Sequence, residues 1–141
     1  MFSKAHGNEL WVLILEKAYS KLHGNYKSIV GGLPYEAMMD LTGCPTTSYE
    51  FSDDKVKDMI KSGKLWEYIK TFDKAGYIMC GGTPGKDMWT ESGGPDKKGG
   101  IVPGHAYSII AAKEHKGICL VNIRNPWGSF EWDGDWSDES K

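Results

Sequence analysis

Several features that define large protein classes are scarce or missing in this sequence. No apolar run approaches the ~20 residues of a transmembrane helix, and the N-terminal stretch MFSKAHGNE lacks the apolar core of a signal peptide. The three cysteines are widely spaced and odd in number, which predicts reduced thiols and a cytoplasmic location rather than a disulfide framework. A net charge of −2 argues against a nucleic-acid binder driven by phosphate contacts. What remains is a globular domain, and 141 residues are enough for one core.

Glycine and large aromatic residues are abundant, with 18 Gly, six Trp and seven Tyr.

The first half of the chain carries helical patterns. Apolar residues at helical spacing, including Trp11, Ile14 and Leu22, predict an amphipathic helix from Asn8 to His23, capped by Asn8. Further helices are predicted from Pro34 to Asp40 with Gly43 as the stop, from Ser52-Asp53-Asp54 to about Ser62, and, after Gly63, from Lys64 to Phe72.

The second half of the chain carries strand patterns. Tyr77–Cys80 is predicted to be a short buried strand, and residues 81–100 a long loop, with plain disorder of its GGPDKKGG part as the alternative. The apolar runs His105–Ala112 and Ile118–Arg124 predict an antiparallel hairpin. Helices first and strands later indicate an α+β fold, in a single domain over residues 1–141.

The two ends of this hairpin carry chemistry. His105 opens one strand and Asn125 closes the other, so their side chains can meet if they lie on the same face. An Asn oxygen that accepts a hydrogen bond from one ring N–H fixes the imidazole, while the other nitrogen faces a thiol. Gly104 has no side chain to obstruct a substrate backbone beside the ring. The alternatives are a surface His at a strand start and an Asn-Pro turn signal.

Several motifs resemble the calpain family of cysteine proteases, across nearly the whole chain and in the right order. VPGHAYSI resembles the stretch around the catalytic His of that family, and IRNPWGSFEW the stretch around its catalytic Asn. ELWVLILEKAYSKLHGNY and DLTG resemble earlier markers of its second protease-core subdomain. The resemblance implies a papain-like fold in which His105 is the general base, Asn125 orients it, and Trp127 covers the His–Asn hydrogen bond.

The family's nucleophile stands in a Gly-Asp-Cys-Trp context at a helix start, and this sequence has no such motif. Cys44, Cys80 and Cys119 precede no helix that would lower a thiol pKa. The resemblance therefore implies the His- and Asn-bearing half of an endopeptidase, inactive alone. Its expected partners are a Cys-bearing first subdomain of the same parent chain and a protein or peptide substrate, with no nucleic acid and no membrane span. The alternative is a catalytically dead, calpain-like binding or regulatory module.

The resemblance also implies a metal. Glu131 and Asp138 match positions with which the family holds a calcium ion, and carboxylate oxygens suit that cation. The alternative is a solvated acidic tail, in which Trp132 and Trp136 serve packing alone. DGDWSD lacks the spacing of an EF-hand loop, and the histidines show no zinc-ligand spacing with any Cys. No organic cofactor is expected.

Overall fold

The computed structural model describes residues 3–85, 99–128 and 131–140. They form two compact units, Met1–Thr46 and Thr47–Lys141. The prediction of one domain over residues 1–141 stays a prediction. No helix within the described ranges is both long enough and apolar enough to cross a membrane.

The first unit consists of helix α1 (Trp11–Leu22), a 3-10 helix (Tyr26–Ile29) and helix α2 (Pro34–Thr42). Pro34 occupies the first turn of α2 and Gly43 ends it with φ +69°, as predicted. The predicted start of α1 was wrong. The Glu9 N–H donates to the His6 carbonyl and closes a tight turn around Asn8, so the helix begins only after Leu10 and has no side-chain cap.

Helix α1 has the predicted apolar face, but this face is largely exposed. Trp11 and Ile14 are 62% and 66% exposed as whole residues, and the residue of α1 that is buried is Ser20. Exposed polar contacts connect the end of α1 to α2: His23 Nε2, just after α1, lies 3.1 Å from Asp40 Oδ2, and the Tyr19 hydroxyl lies 3.3 Å from the same oxygen. This unit therefore owes little of its structure to apolar burial.

The second unit begins with helices α3 (Asp54–Lys61) and α4 (Lys64–Lys74). Asp53 caps α3 by accepting a 2.9 Å hydrogen bond from the Lys55 N–H, so the helix starts within the predicted Ser52-Asp53-Asp54 segment. Gly63, with φ +74°, separates the two helices because it adopts the left-handed conformation without strain. Val56 and Leu65 turn inward and are buried.

The helices are followed by a three-stranded antiparallel sheet in the order β1 (Met79–Gly82), β2 (Ala106–His115) and β3 (Ile118–Arg124). The α+β prediction is confirmed. The first strand starts later than predicted, because Tyr77 and Ile78 are exposed and Tyr77 instead stacks on Phe72 at the end of α4. Val102, Tyr107 and Ala112 complete the buried core of this unit. Most of the predicted 81–100 loop lies outside the described residues.

The hairpin of β2 and β3 is tighter at its tip than predicted. His115 pairs with Ile118, so only Lys116 and Gly117 form the turn, with φ of +51° and +80°. Two consecutive positive φ angles are those of a type I′ turn, whose twist matches that of the flanking strands. Between Ile109 and Ala111 the register shifts by one residue on β2, and beyond this bulge Ser108 pairs with Arg124.

Candidate active site

The open end of the hairpin brings His105 and Asn125 together. His105 immediately precedes β2 and Asn125 immediately follows β3. His105 Nε2 lies 2.8 Å from Asn125 Oδ1. The backbone N–H of Trp127 donates to the same oxygen over 3.1 Å. The Trp127 backbone N–H can only donate, so the atom it meets is the amide oxygen, which can only accept.

This arrangement sets the protonation of the imidazole. Because Oδ1 accepts, Nε2 must carry the proton, and the neutral ring then has its lone pair on Nδ1. Nδ1 makes no hydrogen bond to any residue that the structure describes. The ring is thus anchored through one nitrogen and can take a proton from a reaction partner at the other.

The His–Asn hydrogen bond is shielded from water. Asn125 is only 3% exposed. The Trp127 ring lies over the imidazole with a centroid distance of 4.4 Å and an interplanar angle of 45°. The Tyr107 ring meets the imidazole edge-on at 4.9 Å. A hydrogen bond in such a low-dielectric setting is electrostatically stronger than one in water, so the ring orientation is well defined.

Gly104 lies beside the imidazole in a tight turn. Its φ is +62°, and its N–H donates to the Pro84 carbonyl over 3.2 Å. The sequence suggested glycine here for access to the ring. The backbone conformation adds a second reason, because a residue with a Cβ is strained at this φ.

Sequence reasoning missed two residues of this site, and the first is Thr83, which follows β1. Its hydroxyl accepts the His105 N–H over 2.9 Å and lies 2.6 Å from the Val102 carbonyl oxygen. It is 22 positions from His105, and no local pattern in the sequence marks it. Tyr107 was also not singled out, although it lies within the VPGHAYSI motif.

A sequence profile described as calpain family cysteine protease matches residues 1–141. The chain belongs to the calpain family of cysteine proteases. The resemblance inferred from the motifs around His105 and Asn125 is therefore confirmed.

Calpain-family relatives from plants and animals align along most of the chain. A calpain-type cysteine protease of Oryza sativa subsp. japonica is 44% identical over 136 residues, which cover 95% of this chain and 6% of that protein. Calpain-14 of Homo sapiens is 35% identical over 144 residues, 98% of this chain and 19% of that protein. The calpain-1 catalytic subunit of Homo sapiens is 36% identical over 141 residues, 96% of this chain and 18% of that protein. The chain thus spans less than a fifth of the length of these relatives.

The two acids predicted to bind calcium in this calpain-family chain share a groove. Glu131 and Asp138 line a space of about 540 Å³ beside β2 and β3, together with Trp132 and Trp136. Among residues 3–85, 99–128 and 131–140, no three His, Cys, Asp or Glu side chains are grouped as metal ligands. Calcium takes about six to eight oxygen ligands. Glu131 and Asp138 alone do not make such a site, and calcium binding stays a prediction.

None of the cysteines takes the place of the calpain-family nucleophile beside His105. Cys44, Cys80 and Cys119 are free thiols. Burial raises the pKa of the Cys80 thiol, which is the opposite of what a nucleophile needs. In the part of the chain that the structure describes, the His105 ring contacts Tyr107, Asn125 and Trp127, and its backbone N–H donates to the Thr83 hydroxyl.

Proposed function

We propose that this chain supplies the general base and its orienting amide to the active site of a calpain-like cysteine endopeptidase. The observation that carries the proposal is the 2.8 Å hydrogen bond from His105 Nε2 to a buried Asn125, while Nδ1 has no hydrogen-bond partner among the described residues. The Asn125 side chain is a neutral amide. It does what a thiol-activating base requires, because it fixes the ring without adding a negative charge.

In this mechanism the nucleophile is a cysteine on a first subdomain of the parent protein. His105 Nδ1 takes the thiol proton, and the imidazolium stabilises the thiolate. The sulfur attacks the peptide carbonyl carbon, and the resulting tetrahedral intermediate collapses to an acyl thioester. His105 Nδ1 returns the proton to the leaving amine. His105 then takes a proton from water, whose oxygen attacks the thioester carbonyl carbon. The second tetrahedral intermediate collapses to the free acid, and His105 returns the proton to the departing sulfur.

Two supporting groups have defined tasks in this scheme. Asn125 keeps the imidazole in the Nε2–H tautomer and holds its plane as the ring becomes charged. The Trp127 ring excludes water from that hydrogen bond. Gly104 leaves room beside the ring for an extended peptide, so we expect the substrate to be a protein or peptide.

The decisive experiment supplies the missing nucleophile. The 141-residue chain is mixed with the Cys-bearing subdomain of the same parent, and hydrolysis of a fluorogenic peptide is followed. We expect no hydrolysis by the chain alone and activity in the mixture. His105→Ala is expected to abolish that activity. His115→Ala, at an exposed His in the same hairpin, is expected to leave it unchanged.

Two results would contradict the proposal. Hydrolysis that survives His105→Ala would show that another group is the base. A parent protein with no cysteine at the nucleophile position would favour the alternative, a catalytically dead binding or regulatory module.

The calcium and location predictions need tests of their own. We propose that Glu131 and Asp138 contribute to a calcium site, which calorimetry would reveal as heat at millimolar calcium in the chain and reduced heat in Glu131→Ala. The absence of any binding heat would rule out the site in this chain.

We further propose a cytoplasmic, reducing location from the three free thiols. Finding the parent in a secretory compartment, by fractionation of cells, would contradict it.

A further inference from the structure

Thr83 holds the backbone of His105 on both sides. Its hydroxyl accepts the His105 N–H over 2.9 Å, and its own backbone N–H donates to the His105 carbonyl over 2.9 Å. Both backbone polar groups of His105 are therefore satisfied by a single residue, which lies just beyond the end of β1.

The sheet itself does not provide this restraint. The last paired residues of β1 and β2 are Gly82 and Ala106, and the last pair of β2 and β3 is Ser108 with Arg124. His105 lies beyond both ladders. The regular sheet therefore leaves its N–H without a partner, and the Thr83 side chain provides one.

The Thr83 hydroxyl also connects His105 to the aromatic ring beside it. A hydroxyl has one proton, and the 2.6 Å distance assigns that proton to the Val102 carbonyl. The Val102 N–H in turn donates to the Tyr107 hydroxyl oxygen over 2.8 Å. Tyr107 is buried and meets the His105 ring edge-on. The contacts form a closed circuit from Thr83 through Val102 and Tyr107 to His105.

We propose that Thr83 is a positioning residue for His105, acting through the backbone and through Tyr107 rather than on the substrate. The inference rests on the proposed role of His105 as general base. The ring must reach the Asn125 oxygen on one side and a thiol on the other, and small displacements of a catalytic group reduce rate steeply. Valine at position 83 keeps the shape of the side chain but removes the two hydrogen bonds of the hydroxyl, to the Val102 carbonyl and from the His105 N–H. Serine keeps the hydroxyl.

The test uses the assembled protease, in which this chain is combined with the Cys-bearing subdomain. Thr83→Val is expected to lower kcat about 10- to 100-fold and to change KM less than about twofold, because the loss falls on the reacting groups. Thr83→Ser is expected to restore kcat to within about threefold of the wild type. Thr71→Val is the matched control. It removes a Thr hydroxyl that donates to the Glu67 carbonyl within α4, and we expect no change.

A second readout follows the ring directly. In protein labelled with ¹⁵N-histidine, four imidazoles give signals, and His105→Ala assigns one of them. We expect an Nε2–H proton of His105 that exchanges slowly with water in the wild type and in Thr83→Ser, and fast exchange in Thr83→Val. A hydroxyl that served only the stability of the loop would lower the melting temperature without changing the His105 signal.

Wild-type kcat and a wild-type His105 signal in Thr83→Val would overturn the inference. An equal loss of kcat in Thr83→Ser and Thr83→Val would overturn it as well, since the hydroxyl would then not be the acting group. The His105→Ala variant separates this inference from the proposed function. If that variant is active, the role of His105 is refuted. If it is inactive while Thr83→Val is unimpaired, only the role of Thr83 is refuted.

Discussion

Replacing Asn125 with alanine tests the central contact of the site. Asn125 Oδ1 accepts from His105 Nε2 at 2.8 Å and from the Trp127 N–H at 3.1 Å, and the residue is almost fully buried. Alanine removes the acceptor for both donors, and water has little access to replace it. The His105 donor is the more important of the two for rate, because the ring becomes an imidazolium during the reaction.

The size of the effect follows from these contacts. A hydrogen bond to a charged group contributes about 1.5–3 kcal/mol. At about 1.4 kcal/mol for each factor of ten, kcat should fall roughly 10- to 150-fold. Loss of the acceptor for the Trp127 N–H should separately lower the free energy of unfolding by about 1–3 kcal/mol. Both effects should appear in the same variant.

The assay is peptide hydrolysis by the assembled protease, with thermal unfolding measured on the same samples. Asn122→Ala is the matched control, because Asn122 is an exposed residue of β3 that faces Ala111. We expect that variant to retain the wild-type kcat. A folded Asn125→Ala enzyme with kcat within about twofold of the wild type would refute the reasoning, since the orienting contact would then contribute less than about 0.5 kcal/mol.

Three further predictions concern the stability and reactivity of the chain. Gly100 and Gly117 have similar φ angles of +81° and +80°, but of these two only Gly100 lies where an added Cβ would collide with a backbone carbonyl. Gly100→Ala should therefore lower the free energy of unfolding, measured in urea, by at least about 1 kcal/mol more than Gly117→Ala does. Equal losses in the two variants would contradict this. Burial raises the pKa of the Cys80 thiol, so iodoacetamide at pH 8 should alkylate Cys80 more slowly than the exposed Cys44. Peptide mass spectrometry can measure both rates, and equal rates would refute the burial argument. Asp53→Ala should lower the free energy of unfolding by about 1 kcal/mol through loss of the α3 cap, whereas Asp53→Asn should retain most of it; an unchanged melting temperature in the alanine variant would contradict the cap.

Much of this fold could be predicted because its signals are local. Gly43, Asp53 and Gly63 act within a few residues of their own positions, so caps and stops are readable from the sequence. The meeting of His105 and Asn125 was also accessible, since an antiparallel hairpin necessarily brings its open ends together.

The remainder depends on contacts that leave no periodic trace. Thr83 reaches His105 across 22 positions through a single hydroxyl, and threonine is an ordinary residue in any loop. The bulge between Ile109 and Ala111 arises where the register set by the tight turn meets the different register at the open end. The exposure of Trp11 and Ile14 was equally hidden, because an amphipathic pattern predicts a helix but does not supply the surface that covers it.

The two-residue turn at Lys116 and Gly117 has a consequence for the order in which the chain folds. Strand pairing can begin beside this two-residue loop, where His115 pairs with Ile118, and extend towards the open ends, so little loop-closure entropy opposes it. Hairpins of this kind form in about 1–10 μs. The β1 edge has no such short loop to start from, because its contact with His105 must close a span of 22 positions in one step, which costs more loop-closure entropy. His105 and Asn125 should accordingly be neighbours early in folding, with the final position of the imidazole reached only when β1 joins the sheet.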